Sequence, residues 1–139
     1  MFRRKWTSGL IAGLIAWMFL GLSVQAQEVE RVSLEELKSM VEKGEPVVVV
    51  DNRPKTEYDR QHIKGAISLP RQKDVRDEAG RILPKDNLIV TYCDCGPGES
   101  DSADVAHQLI VAGFDNVKIL ADGWTPWLQA GYPVEKGRK

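Results

Sequence analysis

Two short runs of apolar and β-branched residues constrain this chain more than anything else in it. Residues 47–50 are four valines leading into Asp51, and residues 88–92, Leu-Ile-Val-Thr-Tyr, lead into Cys93. Neither run alternates polar with apolar, so each suits a strand of a parallel sheet buried on both faces. Parallel strands need crossovers, and helical patterns stand where the crossovers belong. Ser33-Leu34-Glu35-Glu36 reads as a capping box, with Ser33 as N-cap and Glu36 at N3. It opens an amphipathic helix through Leu37, Met40 and Val41 that stops at Gly44. A short helical pattern follows at 54–60, then a small strand at 66–69 ended by Pro70 and a polar excursion over 71–86. Residues 102–112 read as a helix ended by Gly113, 117–120 as a strand, Asp122-Gly123 as a turn, and 124–130 as a last short helix before Gly131. The alternation predicts an α/β fold around a central parallel sheet. Ligands of such sheets bind beyond the carboxyl ends of the strands, where Asp51 and the loop after Cys93 both fall.

That loop, Cys93-Asp94-Cys95-Gly96-Pro97-Gly98, delivers two thiols between a strand and a helix. At a helix amino end the unpaired N–H groups and the macrodipole favour negative charge, which lowers a cysteine's pKa below its free value of about 8.5. Inert structural cysteines more often sit inside elements than in Gly/Pro loops. Two ligands and a histidine would suit a soft ion such as Cu(I), but without a second close pair they make no metal site. The reading therefore carries no metal and no cofactor.

The amino end stands apart from the domain. Arg3, Arg4 and Lys5 form a basic region, residues 10–22 an apolar one, and Val24-Gln25-Ala26 a small-residue cleavage pattern, so residues 1–26 read as a signal peptide and 27–139 as one domain. The rival reading keeps the segment as a membrane anchor, although the apolar stretch is shorter than the roughly 20 residues a span needs. Either way the domain is expected outside the cytoplasm, periplasmic or secreted if cleaved and inner-membrane anchored if not. Thiols in such compartments are oxidised unless used or protected. Removing the leader takes away three of the 19 basic residues and none of the 20 acidic ones, leaving a net charge of −4. An acidic surface argues against nucleic acid as a partner.

In order along the chain, Asp51 to Pro54, Glu57-Tyr58, His62 to Pro70, Val90 to Cys93, Gly113 to Val117 and Asp122 to Trp127 carry short motifs that resemble those of the rhodanese domain, the fold of single-domain sulfurtransferases. Asp51-Asn52-Arg53-Pro54, Glu57-Tyr58 and the segment from His62 to Pro70 resemble D-x-R, E-Y and G-H-I-x-G-A-x-x-x-P, with Gln61 where the pattern has glycine. Val90-Thr91-Tyr92-Cys93 resembles the strand leading into the active-site cysteine. Gly113-Phe114-Asp115-Asn116-Val117, then Asp122-Gly123-Trp124 and Trp127, resemble the closing G-F-x-N-V and G-G-W-x-x-W signature. The resemblance covers nearly all of residues 31–135. It implies a central parallel sheet flanked by helices on both faces. It also implies a cysteine that takes sulfane sulfur from a donor, holds it as a persulfide, and passes it to a thiol or other nucleophile.

The loop departs from the family pattern. No Arg or Lys occurs from residue 91 to 110, and Asp94, Glu99 and Asp101 carry charge there instead. Repulsion on the order of 1 to 4 kcal/mol between nearby unit charges opposes an anionic donor such as thiosulfate, so the expected partner is a neutral persulfide or a protein thiol. Cys93 is the leading nucleophile, because a strand end fixes a side chain more tightly than a point within a glycine loop. Loop length counted back from Ser102 and Gly113 fits Cys95, which stands as second candidate or as resolving thiol. The loop backbone at Asp94, Gly96, Gly98, Glu99 and Ser100 is the expected substrate cradle. Asp51, Arg53 and His62 read as structural, with Arg53 and Glu57 placed for an i, i+4 pair. His107 reads as solvated, Arg71 and Lys73 as a charged loop, and Trp124 and Trp127 as core anchors. Two other readings stay open: a Cys93/Cys95 dithiol-disulfide redox protein, and a catalytically silent binding module on the same fold.

Overall fold

The computed structural model describes residues 28–137, and the leader assigned to residues 1–26 lies outside them. Five parallel strands form the central sheet. In chain order these are β1 (Arg31–Val32), β2 (Val47–Asp51), β4 (Ile67–Ser68), β5 (Leu88–Tyr92) and β6 (Val117–Leu120), arranged β1-β6-β5-β2-β4. A separate antiparallel pair joins β3 (His62–Ile63) to β7 (Val134–Glu135). The helices are α1 (Leu34–Lys43), α2 (Lys55–Arg60), α3 (Arg76–Ile82), α4 (Ser100–Val111) and α5 (Trp124–Gln129).

The strand periodicity of two divides the core. Val50, Ile89 and Ile119 face a layer built with Val75 and Ala79 of the α3 region and Val105, Ala106 and Leu109 of α4. Their chain neighbours Val49, Val90 and Leu120 face the other side, with Leu37 of α1 and Trp124 and Trp127 of α5. Helices therefore cover both faces, as the unbroken valine run requires. From β2 the chain moves outward to β4, then returns to the other flank of β2 as β5 and continues to β6. The β2/β5 boundary is thus the point where strand order reverses, and Asp51 and Cys93 both stand at its carboxyl end.

Beneath that end lies a buried polar network. Arg53 donates from Nη2 to Asp51 Oδ2 (2.6 Å) and from Nε to Asp51 Oδ1 (3.0 Å), and also from Nη2 to the Gln61 carbonyl (2.8 Å). Tyr92 donates its hydroxyl to Asp51 Oδ2 at 2.5 Å and accepts the Ile63 amide at 3.2 Å. Burial, reinforced by the Asp51 charge, pushes the Tyr92 hydroxyl far above its ordinary pKa. The Arg53 guanidinium lies 4.1 Å from the Trp124 ring centroid, so the network reaches α5 as well.

Several expectations change here. Arg53 does not pair with Glu57, because it precedes the first turn of α2 and the helical period does not reach it; Glu57 accepts instead from Arg60 at 3.0 Å. The excursion over 71–86 contains α3, and α4 begins at Ser100 and not at 102. The capping box is as read: Ser33 Oγ accepts from the Glu36 amide, and Gly44 closes α1 in the left-handed region at φ 67°. His107 is exposed, and Arg71 spans to Asp104 at the surface (2.9 Å).

Gly123 fixes how closely the turn after β6 approaches the cysteine loop. It adopts φ 71° and ψ −146°, and a Cβ there would stand 2.3 Å from the Cys93 carbonyl oxygen. Gly123→Ala combines a glycine-only backbone region with a clash against main chain, and is expected to cost about 3 kcal/mol or more. Urea unfolding reads this, and a midpoint equal to wild type would contradict the packing described. Tyr92→Phe removes the Ile63 amide's acceptor and one donor from buried Asp51, for an expected loss of about 2 kcal/mol by the same measurement; no loss would mean the network is not carrying stability.

Candidate functional site

Cys93 is the first residue past β5, and the alternation that sends Tyr92 toward α5 sends Cys93 toward α4. Its Sγ lies 3.5 Å from Ser102 Oγ, in the first turn of α4, and the residue is 2% exposed. Thr91, on the same face, donates its hydroxyl to the Ser102 carbonyl at 3.1 Å, which ties the end of β5 to that turn. Cys93 and Cys95 are joined by a disulfide, with Cα atoms 5.7 Å apart. Cys95 is the more exposed partner.

The loop between them and α4 is held by backbone conformation. Gly96 (φ 73°) and Gly98 (φ 93°) occupy the region that favours glycine, and Glu99 enters it too, at φ 44°. Glu99 is the N-cap of α4, yet its side chain does not cap the helix. It turns away and is buried, accepting from Arg31 Nε at 3.1 Å and from the Asp122 amide at 3.1 Å. Asp122 is itself a non-glycine residue at positive φ (63°). Two strained positions on neighbouring loops are therefore bonded to each other, an arrangement that persists only where the surrounding structure enforces it. Asp94 adds a second tie, its Oδ1 accepting from the Thr125 amide at 3.3 Å in the first turn of α5. The Trp124 amide donates to the Cys93 carbonyl at 2.9 Å.

These contacts revise the electrostatics expected of the loop. Glu99 does not stand free to repel an anion, because Arg31 on β1 neutralises it. Asp94 is committed to the amino end of α5. Since Glu99 gives α4 no side-chain cap, the first-turn amides beside Cys93 keep their capacity for negative charge.

Of the expected cradle residues, Asp94, Gly96, Gly98 and Glu99 lie on this loop, whereas Ser100 is the first residue of α4. Asp51 and Arg53 share the sheet end but face away from the sulfur into the network below. His62 is apart from the loop, stacked on Tyr58 with ring centroids 3.7 Å apart and bonded through Nδ1 to the Tyr58 carbonyl at 2.8 Å and through Nε2 to Glu135 at 3.3 Å. The Gly65 amide and then His62 hold the Glu135 carboxyl below its usual range. Sequence reasoning missed Arg31, 68 residues from its partner, and Asn52. Asn52 is 2% exposed beside the end of β5; its Nδ2 donates to the Leu69 carbonyl at 2.8 Å, while its Oδ1 has no partner. Among the described residues, no group of three or more His, Cys, Asp or Glu could hold a metal ion.

A cysteine at a strand end, facing the uncapped start of a helix across a glycine-bearing loop, is suited once reduced to covalent sulfur chemistry. Comparison with known proteins agrees with this architecture. A family model described as rhodanese-like domain matches residues 33–130. An HTH-type transcriptional regulator of Mycobacterium tuberculosis is 37% identical over 110 residues, covering 78% of this chain and 46% of that protein. A thiosulfate sulfurtransferase of Coxiella burnetii is 28% identical over 110 residues, covering 79% of this chain and 96% of that protein. A solved structure from Bacillus halodurans matches with a TM-score of 0.70 at 33% identity, covering 78% of this chain and 77% of that one. The chain spans less than half the length of the first curated relatives it matches. By its fold, its motifs in order and these matches, the chain belongs to the rhodanese-like domain family.

Proposed function

We propose that this protein is a sulfurtransferase that carries sulfane sulfur as a persulfide on Cys93. One observation bears the most weight: Cys93 leaves the end of β5 at the reversal of strand order, with Ser102 of α4 3.5 Å away and no side chain capping that helix. The family match and the relatives named as sulfurtransferases support a role of this type. In the first half-reaction the Cys93 thiolate attacks the outer sulfur of a donor persulfide R–S–SH; the donor's S–S bond breaks and RS⁻ leaves. In the second, an acceptor thiolate attacks the outer sulfur of the Cys93 persulfide and restores the Cys93 thiolate. Amides of the 94–100 loop and of the first turn of α4 stabilise the negative sulfur in both halves.

A neutral persulfide or a protein thiol suits this site better than thiosulfate, since among the described residues the guanidinium that bonds the loop, that of Arg31, is already paired with Glu99. Export belongs to the same proposal, supported by the basic, apolar and small-residue pattern of residues 1–26. The Cys93–Cys95 disulfide favours one second reading, in which the pair cycles between dithiol and disulfide without moving sulfur.

Intact-mass measurement separates the two. Reduced Cys95→Ser protein given glutathione persulfide is expected to gain one sulfur and deliver it to an acceptor thiol, and Cys93→Ser to take up none, whereas a protein that only cycles its thiols gains no sulfur in either variant. Uptake that persists in Cys93→Ser and vanishes in Cys95→Ser would move the nucleophile to Cys95. Glu99→Gln frees the Arg31 charge at the cost of about 1–3 kcal/mol of stability from an altered buried contact. Its activity on thiosulfate relative to glutathione persulfide is expected to rise several-fold at low salt and to fall back as salt screens the charge; an unchanged ratio would show that Glu99 does not set donor preference.

A further inference from the structure

The nucleophile of the proposed sulfurtransferase has a second thiol within bonding distance on its own loop. Cys95 is separated from Cys93 by one residue, the two are joined in the structure, and Gly96 and Gly98 at positive φ turn the chain back toward α4 just after the pair. A sulfurtransferase that only handed sulfur onward would be compromised by this arrangement. The inner sulfur of a Cys93 persulfide is the Cys93 Sγ, the atom to which Cys95 bonds. An attack between groups held this close is intramolecular, and well-oriented intramolecular reactions have effective molarities far above any cellular thiol concentration.

We propose that the protein releases the sulfur it accepts as hydrosulfide, with Cys95 as the resolving thiol and an external dithiol as the reductant. This rests on Cys93 being the persulfide carrier. The Cys95 thiolate attacks Cys93 Sγ, the bond from Cys93 Sγ to the terminal sulfur breaks, and that sulfur leaves as HS⁻ with the bonding pair and the proton it already carried. The product is the Cys93–Cys95 disulfide. Reduction then begins at Cys95, the more exposed partner, because Cys93 is 2% exposed. One thiolate of the dithiol bonds to Cys95 Sγ and expels the Cys93 thiolate toward the start of α4, where negative charge is favoured and departure is faster. The second thiol of the reductant displaces Cys95 and closes the reductant's own disulfide. Over the cycle, R–S–SH and a dithiol become R–SH, hydrogen sulfide and a disulfide, so the two electrons that reduce the sulfane sulfur come from the dithiol.

A single-turnover experiment tests this. Reduced wild type, Cys93→Ser and Cys95→Ser are mixed anaerobically with a molar equivalent of glutathione persulfide and no other thiol, and hydrosulfide and intact mass are followed. Wild type is expected to release hydrosulfide and end two hydrogens lighter, whereas Cys95→Ser accumulates one extra sulfur and releases hydrosulfide about 100-fold more slowly or worse. Adding dithiothreitol is expected to convert the wild-type burst into continuous turnover. A wild type that holds its extra sulfur as long as Cys95→Ser, with Cys95 still reduced, overturns this inference and leaves the sulfurtransferase reading intact. Absence of sulfur uptake by both wild type and Cys95→Ser overturns the two together.

Discussion

The carbonyl oxygen of Cys93 occupies the space that any side chain at residue 123 would need. From that contact the site is assembled. The Trp124 amide bonds the same oxygen, Asp94 takes the Thr125 amide, and Glu99 takes the Asp122 amide, so the loop after β5 is fastened at three points to the turn after β6 and the start of α5. Below it the Trp124 ring lies against Arg53, and Arg53 against Asp51 and Tyr92. A loop with three glycine or proline residues would otherwise carry considerable conformational entropy. Fastened this way, it can hold one sulfur in a fixed place beside a helix terminus, as covalent catalysis requires.

The charges follow a similar logic. Acidic residues near a thiolate would normally raise its pKa and turn anions away. Here Glu99 is spent on Arg31 and on a strained turn, and Asp94 on the start of α5. Their negative charge is consumed in building the loop. The cost is a backbone at Glu99 and Asp122 in a region that L residues seldom adopt, a strain tolerated because each supports the other.

Much of this was legible in the sequence, and the limits were physical. Strands β2 and β5 announce themselves because burial on both faces demands unbroken apolar runs, and α1 because its cap and stop are written in local residues. Of the four two-residue strands, β4 is marked by the Pro70 that ends it, whereas β1, β3 and β7 are too short to show a period and carry no such mark. Helix α3 is hidden in a polar stretch because Ala79 is the one residue it buries and its N-cap position is the apolar Val75, with Asp74 taking the Arg76 amide from one residue further out. The start of α4 shifted because Glu99 adopts a left-handed backbone that composition does not reveal. Helical spacing points Arg53 at Glu57, but Arg53 stands before α2 and pairs with Asp51 instead. The Arg31–Glu99 contact joins positions 68 apart, and no local pattern encodes it.

In the proposed reaction reduced Cys93 attacks as a thiolate, and its alkylation rate as a function of pH reads whether it is poised to do so. Measured in the Cys95→Ser background, so that one thiol reports, the rate is expected to titrate with a midpoint below the free-cysteine value of about 8.5 and to exceed that of a peptide cysteine at pH 7. A midpoint at or above the free value, with reactivity no greater than the peptide's, would contradict it.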